Sequence, residues 1–302
     1  MNSKINFACY CDNNYLVQFL VLHDSIKKYI PDFHIYLLCL DDIIYNNLKM
    51  LKLDNVKLYH IDTLNVKDAT AFETTRAYIW SLTPFLCLHI LNNESVKNIA
   101  FVDVDTEFLS VPSSELYAFM SSEHSVLITE HGYEPDFDVS FFSGKYCVQL
   151  VIFKNTEPSV KILRRWARDC ENLLHDRHEA GVFGDQYFLN DWPVDYGNNI
   201  YIYKQKEHFQ GPWNTMRFPY SEAFFFHYQG MKILSDKKFY FGTKKLNKIH
   251  KKYVYQPYVN RLSKKIKYLN KRQLVIGYHS IPHFIHRFRS RVWNLFFSLG
   301  IR

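Results

Sequence analysis

Residues 98–105 read Asn98-Ile99-Ala100-Phe101-Val102-Asp103-Val104-Asp105, a short apolar run that ends on two aspartates. An uninterrupted apolar run of this length predicts a buried strand. Two carboxylates at the carboxyl end of such a strand are poorly solvated and repel each other. A divalent cation resolves that conflict, and open α/β sheets bind ligands where their strands end. Magnesium and manganese are usually held by one or two carboxylates, with substrate phosphates among the other ligands. Asp103 and Asp105 are therefore candidate metal ligands, and the substrate they suggest is phosphorylated. The competing reading is a pair of solvated turn aspartates.

Working outward, strands are expected at residues 4–11, 34–40 and 56–61, which makes 98–102 the fourth. Between them a helix is expected at 13–30, with Leu16, Phe19, Leu20 and Ile26 inward. Asp41 can cap a second helix that runs to about 52. A third is expected at 75–92, where Pro84 should kink it or mark a new first turn. This alternation predicts an α/β fold, with a mostly parallel, doubly wound (Rossmann-like) central sheet flanked by helices. After Thr106 the spacing becomes irregular, with a short helix near 113–120, strands near 125–129 and 148–153, and a helix from 157 to about 175.

Two later clusters carry chemistry. Gly184-Asp185-Gln186 would open a short helix, where the dipole favours a carboxylate at position 185. Asp185 can bond acceptor hydroxyls or act as a general base; simple capping is the alternative. Phe224-Phe225-Phe226 predicts a buried strand that ends at His227, followed by Tyr228-Gln229-Gly230-Met231-Lys232. A neutral imidazole is a good third ligand for manganese beside two carboxylates. Gly230 permits close backbone approach to a phosphate, and Lys232 can neutralise it.

Length and composition suit one large domain, or one domain with an appendage; Tyr and Phe are abundant, at 22 and 25 of 302 residues. The six cysteines form no Cys-x-x-Cys pair, which argues against a zinc site of that kind. They read as reduced thiols, with Cys9 and Cys11 on one face of the first strand. No signal peptide and no run of 18 apolar residues is expected to direct the chain across a membrane, so a cytoplasmic protein is expected. The net charge of +7 conceals a split: from Met231 onward 18 bases face one acid, Asp236, whereas the first 230 residues hold 19 bases and 29 acids. That split suggests a catalytic domain over 1–235 and a basic, aromatic-rich region over 236–302. Within the latter, Ile281, Phe284, Ile285, Phe288, Val292, Leu295, Phe296 and Leu299 fall on one helical stripe, with Arg287 and Arg291 elsewhere. A cationic helix with such a face, about 281–302, fits an anionic membrane surface, or else docks on the catalytic domain. No nucleic-acid-binding motif is present, and nucleic acid is not an expected partner.

Taken in order, these pieces resemble the nucleotide-sugar glycosyltransferases of the GT-A fold. The likeness is to bacterial family-eight-like enzymes that assemble polysaccharide and lipopolysaccharide. It rests on Ile5-Asn6-Phe7-Ala8-Cys9-Tyr10-Cys11-Asp12, Arg76-Ala77-Tyr78, Phe101-Val102-Asp103-Val104-Asp105, Gly184-Asp185-Gln186 with Leu189-Asn190, and His227-Tyr228-Gln229-Gly230-Met231-Lys232. Together they span roughly residues 4–235. The resemblance implies that Asp103, Asp105 and His227 hold Mn²⁺ or Mg²⁺ on the diphosphate of a nucleotide-sugar donor, UDP-sugar first. It places Tyr10 and Asp12 near the nucleobase and ribose, Arg76 near the donor, and Lys232 on the phosphate. The acceptor would be a glycan or lipid-linked glycan, and the enzyme would sit peripherally on the inner face of the cell membrane. An inverting reaction would need a base, for which Asp185 comes first and Asp138 and Asp136 second. The chain departs from the pattern at 146–153, where Gln149 stands as the only candidate sugar-facing polar group. Two rival readings remain: a haloacid-dehalogenase-like phosphatase using Asp103 and Asp105, and a non-catalytic membrane-associated protein. The phosphatase would carry its motif on the first strand, not the fourth.

Overall fold

The computed structural model describes residues 4–67, 69–72, 74–172, 184–244 and 246–280. The first half alternates as expected: β1 (Ile5–Cys11), α1 (Leu16–Tyr29), β2 (Phe33–Cys39), α2 (Asp42–Leu51), β3 (Val56–His60), α3 (Thr75–Asn93) and β4 (Asn98–Val102). Then follow β5 (Thr106–Phe108), α4 (Ser114–Ser121), β6 (Val126–Glu130), α5 (Ser140–Ser143), β7 (Tyr146–Lys154) and α6 (Glu157–Asn172). The last third contains α7 (Trp192–Asp195), β8 (Ile200–Ile202), β9 (Phe209–Gln210), β10 (Phe225–His227), β11 (Lys232–Ser235), β12 (Lys238–Tyr240), α8 (Lys248–His250) and α9 (Gln256–Lys271).

The central sheet has the order β3-β2-β1-β4-β7-β6-β8. All its neighbours pair in parallel except at β7, which runs against both β4 and β6. The mostly parallel α/β sheet flanked by helices is thus present. Strand alternation divides the core into two layers. Ile5, Phe7, Cys9 and Cys11 meet α1 on one face, while Ala8 meets α3 and α6 on the other.

Local chemistry fixes the elements that frame the site. Asp41 Oδ1 accepts the Ile44 N–H at 2.8 Å and starts α2, as its side chain suggested. Its Oδ2 accepts the Asn13 N–H, also at 2.8 Å, which ties α2 to the end of β1. Pro84 neither breaks nor restarts α3, which runs without interruption from Thr75 to Asn93. Two smaller sheets stand beyond the carboxyl end of β4: β5-β10-β9, and the β11-β12 hairpin.

The lysine-rich stretch after the hairpin buries a stripe. Tyr258, Leu262, Ile266 and Leu269 of α9 join the same core layer as β1 and α1. The change in charge near residue 235 coincides with the end of β11, and the helix beyond it completes this layer. All six cysteines are buried and unpaired. No helix among the described residues is long and apolar enough to cross a membrane. The amphipathic stripe of 281–302 lies outside the described residues.

Candidate metal and donor site

Asp103 and Asp105 occupy the turn between β4 and β5, where the Thr106 hydroxyl closes the loop by donating to the Asp103 carbonyl at 2.5 Å. β5 pairs antiparallel with β10, and the register sets His227 opposite Thr106. The Tyr228 N–H donates to the Asp105 carbonyl at 2.8 Å and locks the imidazole beside the turn. His227 Nε2 lies 3.0 Å from Asp105 Oδ1, and Nδ1 lies 3.7 Å from Asp103 Oδ2. Trp213 stands edge-on to the ring at 5.5 Å. Nδ1 makes no hydrogen bond, with the Cys147 thiol and Asp103 as its nearest polar neighbours.

The electrostatics follow from that geometry. Burial, the largest single influence, lowers the His227 pKa, but Asp105, Cys147 and Asp103 together outweigh it and hold the group well above its ordinary value. The ring is therefore an imidazolium at neutral pH. Asp103 is pushed up to about 6, by burial first; His227 opposes the shift and Asp105 adds to it. Among the described residues, no group of three or more His, Cys, Asp or Glu side chains stands ready to hold a metal ion. The three candidate ligands are instead joined as an ion pair with a second carboxylate alongside. Their chemistry nonetheless fits a hard divalent cation: loss of the His227 proton would leave two carboxylates and a nitrogen lone pair on one turn and strand.

Asp185 follows Gly184, which turns the chain at φ 83° into a short 3₁₀ helix, Asp185–Asn190. The Trp166 indole donates to the Asp185 carbonyl at 3.0 Å. The carboxyl is buried and pushed up to about 8, by burial first and by Asp103 second, although Gln186 and Thr83 bond it. A carboxyl with its pKa near neutrality can donate a hydrogen bond when protonated and accept a proton when ionised. Tyr10 shares the same partner, its hydroxyl 3.1 Å from Thr83 Oγ1. Tyr10, Thr83, Asp185 and Asp103 thus make one linked group at the ends of β1 and β4.

The other predicted residues scatter. Asp12 caps the turn after β1, its Oδ1 accepting from Asn14 N at 3.0 Å and its Oδ2 from Asn14 Nδ2 at 2.9 Å. Arg76 lies on α3, and its side chain is outside the described set. Gly230 adopts φ 78° beside Gly242, and Lys232 opens β11. Asp138 and Asp136 are exposed. Asp138 Oδ1 accepts the Ser140 N–H at 2.8 Å just before α5, and its bonds to the Ser140 hydroxyl and N–H hold its pKa below the ordinary value. Gln149 is fully buried, with neither amide atom bonded, so it does not open toward a sugar.

Lys244 was not legible as a site residue. Its ammonium lies 4.8 Å over Phe137 and 5.5 Å over Trp213, the ring that abuts His227. Burial pushes it down to about 8, against the pull of Cys147 and Glu134. It forms no ion pair among the described residues, so this cation has charge to offer a ligand.

No family model matches the chain. Its relatives include the uncharacterized protein YfnD of Bacillus subtilis (strain 168), 22% identical over 285 residues, covering 87% of this chain and 90% of YfnD. YfnF of the same organism is also 22% identical, over 241 residues, covering 73% of this chain and 79% of YfnF. Among solved structures, the glycosyltransferase GlyE of Streptococcus pneumoniae TIGR4 superposes with a TM-score of 0.56 at 13% identity, over 93% of this chain. Its apo form gives 0.55 at 12% identity, over 92%. This chain spans 66% of the length of either GlyE chain. At such identity the likeness is one of fold, and the fold is that of a glycosyltransferase.

Proposed function

We propose that this protein is a metal-dependent glycosyltransferase. It moves a sugar from a nucleoside diphosphate donor, UDP-sugar first, to a glycan or lipid-linked glycan acceptor in surface polysaccharide assembly. The observation that carries this reading is the meeting of Asp103, Asp105 and His227 at the carboxyl end of β4, within a glycosyltransferase fold. Those three would hold Mn²⁺ or Mg²⁺, which when bound neutralises the departing diphosphate as a Lewis acid.

The chain's own residues divide the remaining work. His227 would hold the ion through a ring nitrogen freed of its proton. Asp185, protonated and anchored near Thr83, donates a hydrogen bond to a sugar hydroxyl. Lys232 and Lys244 neutralise anionic oxygens, and Phe137 and Trp213 shield the Lys244 ammonium from water. Tyr10 and Asp12 line the nucleoside end. We further propose that 236–302 forms a second functional region whose last 22 residues rest on the anionic inner face of the membrane. Deleting 281–302 should release the protein from anionic vesicles; continued partitioning would sink that part.

A screen of nucleotide sugars for metal-dependent hydrolysis tests the main reading. One donor class should be cleaved with Mn²⁺ and spared with EDTA, and Asp105→Ala should lower the rate by at least about 100-fold. Phosphate release from simple sugar phosphates, with nucleotide sugars untouched, would favour the phosphatase instead.

A further inference from the structure

We propose that His279 is a ligand-contacting residue of the donor pocket, and that its Nε2 hydrogen-bonds a phosphate oxygen of the bound nucleoside diphosphate. This rests on the donor reading above.

After α9 the chain turns at Gln273, φ 57°, and runs back across the first strand–helix junction. Leu274 and Ile276 pack on the core. The Val275 carbonyl accepts from Asn47 Nδ2 at 2.7 Å, and Gly277 N–H donates to the Asn13 carbonyl at 3.3 Å. A Cβ at Gly277 would stand 2.7 Å from Asn14 Oδ1 and 2.8 Å from the Asn13 carbonyl carbon, so only glycine lets the strap lie this close. Tyr278 bonds Asp236, and the His279 N–H donates to the Ile233 carbonyl at 2.9 Å.

These ties deliver the imidazole to a defined place. The ring packs edge-on against Tyr15 at 4.7 Å. The charged groups that act on it are Lys232, Asp12 and Asp105. All three are candidate donor-site residues, for phosphate, ribose and metal respectively. Nε2 is buried and has no hydrogen-bond partner among the described residues. An orphaned buried polar atom costs about 1–3 kcal/mol, so a partner supplied by a ligand is a physical reason for one to persist. Burial, with Lys232 beside it, holds the imidazole below its ordinary pKa. The neutral tautomer with its proton on Nε2 is a donor matched to a phosphate oxygen.

A purely structural role for His279 would rest on the ring, not on Nε2. His279→Phe keeps the ring and its edge contact with Tyr15 but removes the nitrogen, while His279→Gln restores an N–H near the Nε2 position. Calorimetry with UDP and Mn²⁺ should show His279→Phe weakening UDP by about tenfold, the worth of one hydrogen bond to a charged group. Uridine affinity, read by displacement, should not change, and His279→Gln should recover UDP binding to within about threefold. Unchanged UDP affinity in His279→Phe overturns the proposal, as does an equal loss for uridine. If the wild-type protein binds none of UDP, GDP, CDP and ADP, the donor reading itself falls, and this assignment with it.

Discussion

Two polar networks sit side by side on the β4–β5 turn and on β10, and they are built in opposite ways. Glu107 and Tyr228 belong to one; Asp105 and His227, two residues and one residue earlier, belong to the other. Glu107 is closed on every side: Arg261 Nη2 donates to Oε2 at 2.6 Å, Nε lies 2.6 Å from Oε1, and the Tyr228 hydroxyl donates at 3.0 Å. The Tyr228 ring then stacks flat on Tyr258 at 3.5 Å. The Asp103–Asp105–His227 group keeps a nitrogen unbonded and a carboxyl pushed up to about 6. The Glu107 network is the more fully partnered of the two, although the Tyr258 hydroxyl in it is unbonded and burial raises the Glu107 carboxyl as well.

Breaking the Glu107 network should have the largest effect. Arg261→Ala leaves the Glu107 charge uncompensated and should cost about 3 kcal/mol in urea unfolding, with activity per folded molecule little changed. A loss under 1 kcal/mol would mean that the pair adds little. In the metal-site network the larger effect should be on activity: Asp105→Ala should abolish the proposed transfer, with a smaller loss of stability because His227 can shed its proton once its partner is gone.

Asp185 sharpens the contrast through pH. Its folded pKa of about 8 exceeds the unfolded value, so the folded state holds the extra proton between roughly pH 4 and 8. Stability is thus fully present below the unfolded pKa and is lost as pH rises through that window. Asp185→Asn removes this titration, so its advantage over wild type should grow by up to about 1.4 kcal/mol per pH unit and level off above pH 8. Melting temperatures across pH 5–9 check it, and a flat difference would mean that the carboxyl is not buried as described.

Metal binding should also carry a proton signature. Because His227 is an imidazolium without metal, Mn²⁺ must displace its proton, and affinity should rise by up to about tenfold per pH unit between pH 6 and 8. Calorimetry in two buffers of different ionisation enthalpy would report the released proton; zero release removes His227 from the ligand set. The smallest effect belongs to Asp138→Ala, which loses only an exposed hydrogen bond from the Ser140 N–H. It should cost about 1 kcal/mol or less, with transfer within about twofold of wild type if Asp138 is no base.

Much of this was legible because local chemistry dictates it. The apolar run before Asp103, the Asp41 cap and the aromatic strand before His227 each contain their own instruction, and each forms the expected element. Pro84 lies inside a continuous α3, where the burial of Leu82, Leu86, Cys87 and Ile90 supports the helix across the N–H that proline lacks. Asp138 stands second as a base in sequence, and the fold adds a local bond to the Ser140 N–H two residues on. Lys244 was hidden among 18 bases in the last 72 residues, and only the fold sets it against Trp213. The spacing of Tyr258, Leu262, Ile266 and Leu269 was readable as a buried face, but the surrounding lysines drew attention to charge instead.

The contact between α1 and α9 also orders events during synthesis. α1 is made before α9, and its apolar face is covered in part by this later helix, which starts at Gln256. At 5–20 residues per second, that face waits roughly 10–45 s for its cover. During that interval the part of the α1 face that α9 later covers stays open to solvent.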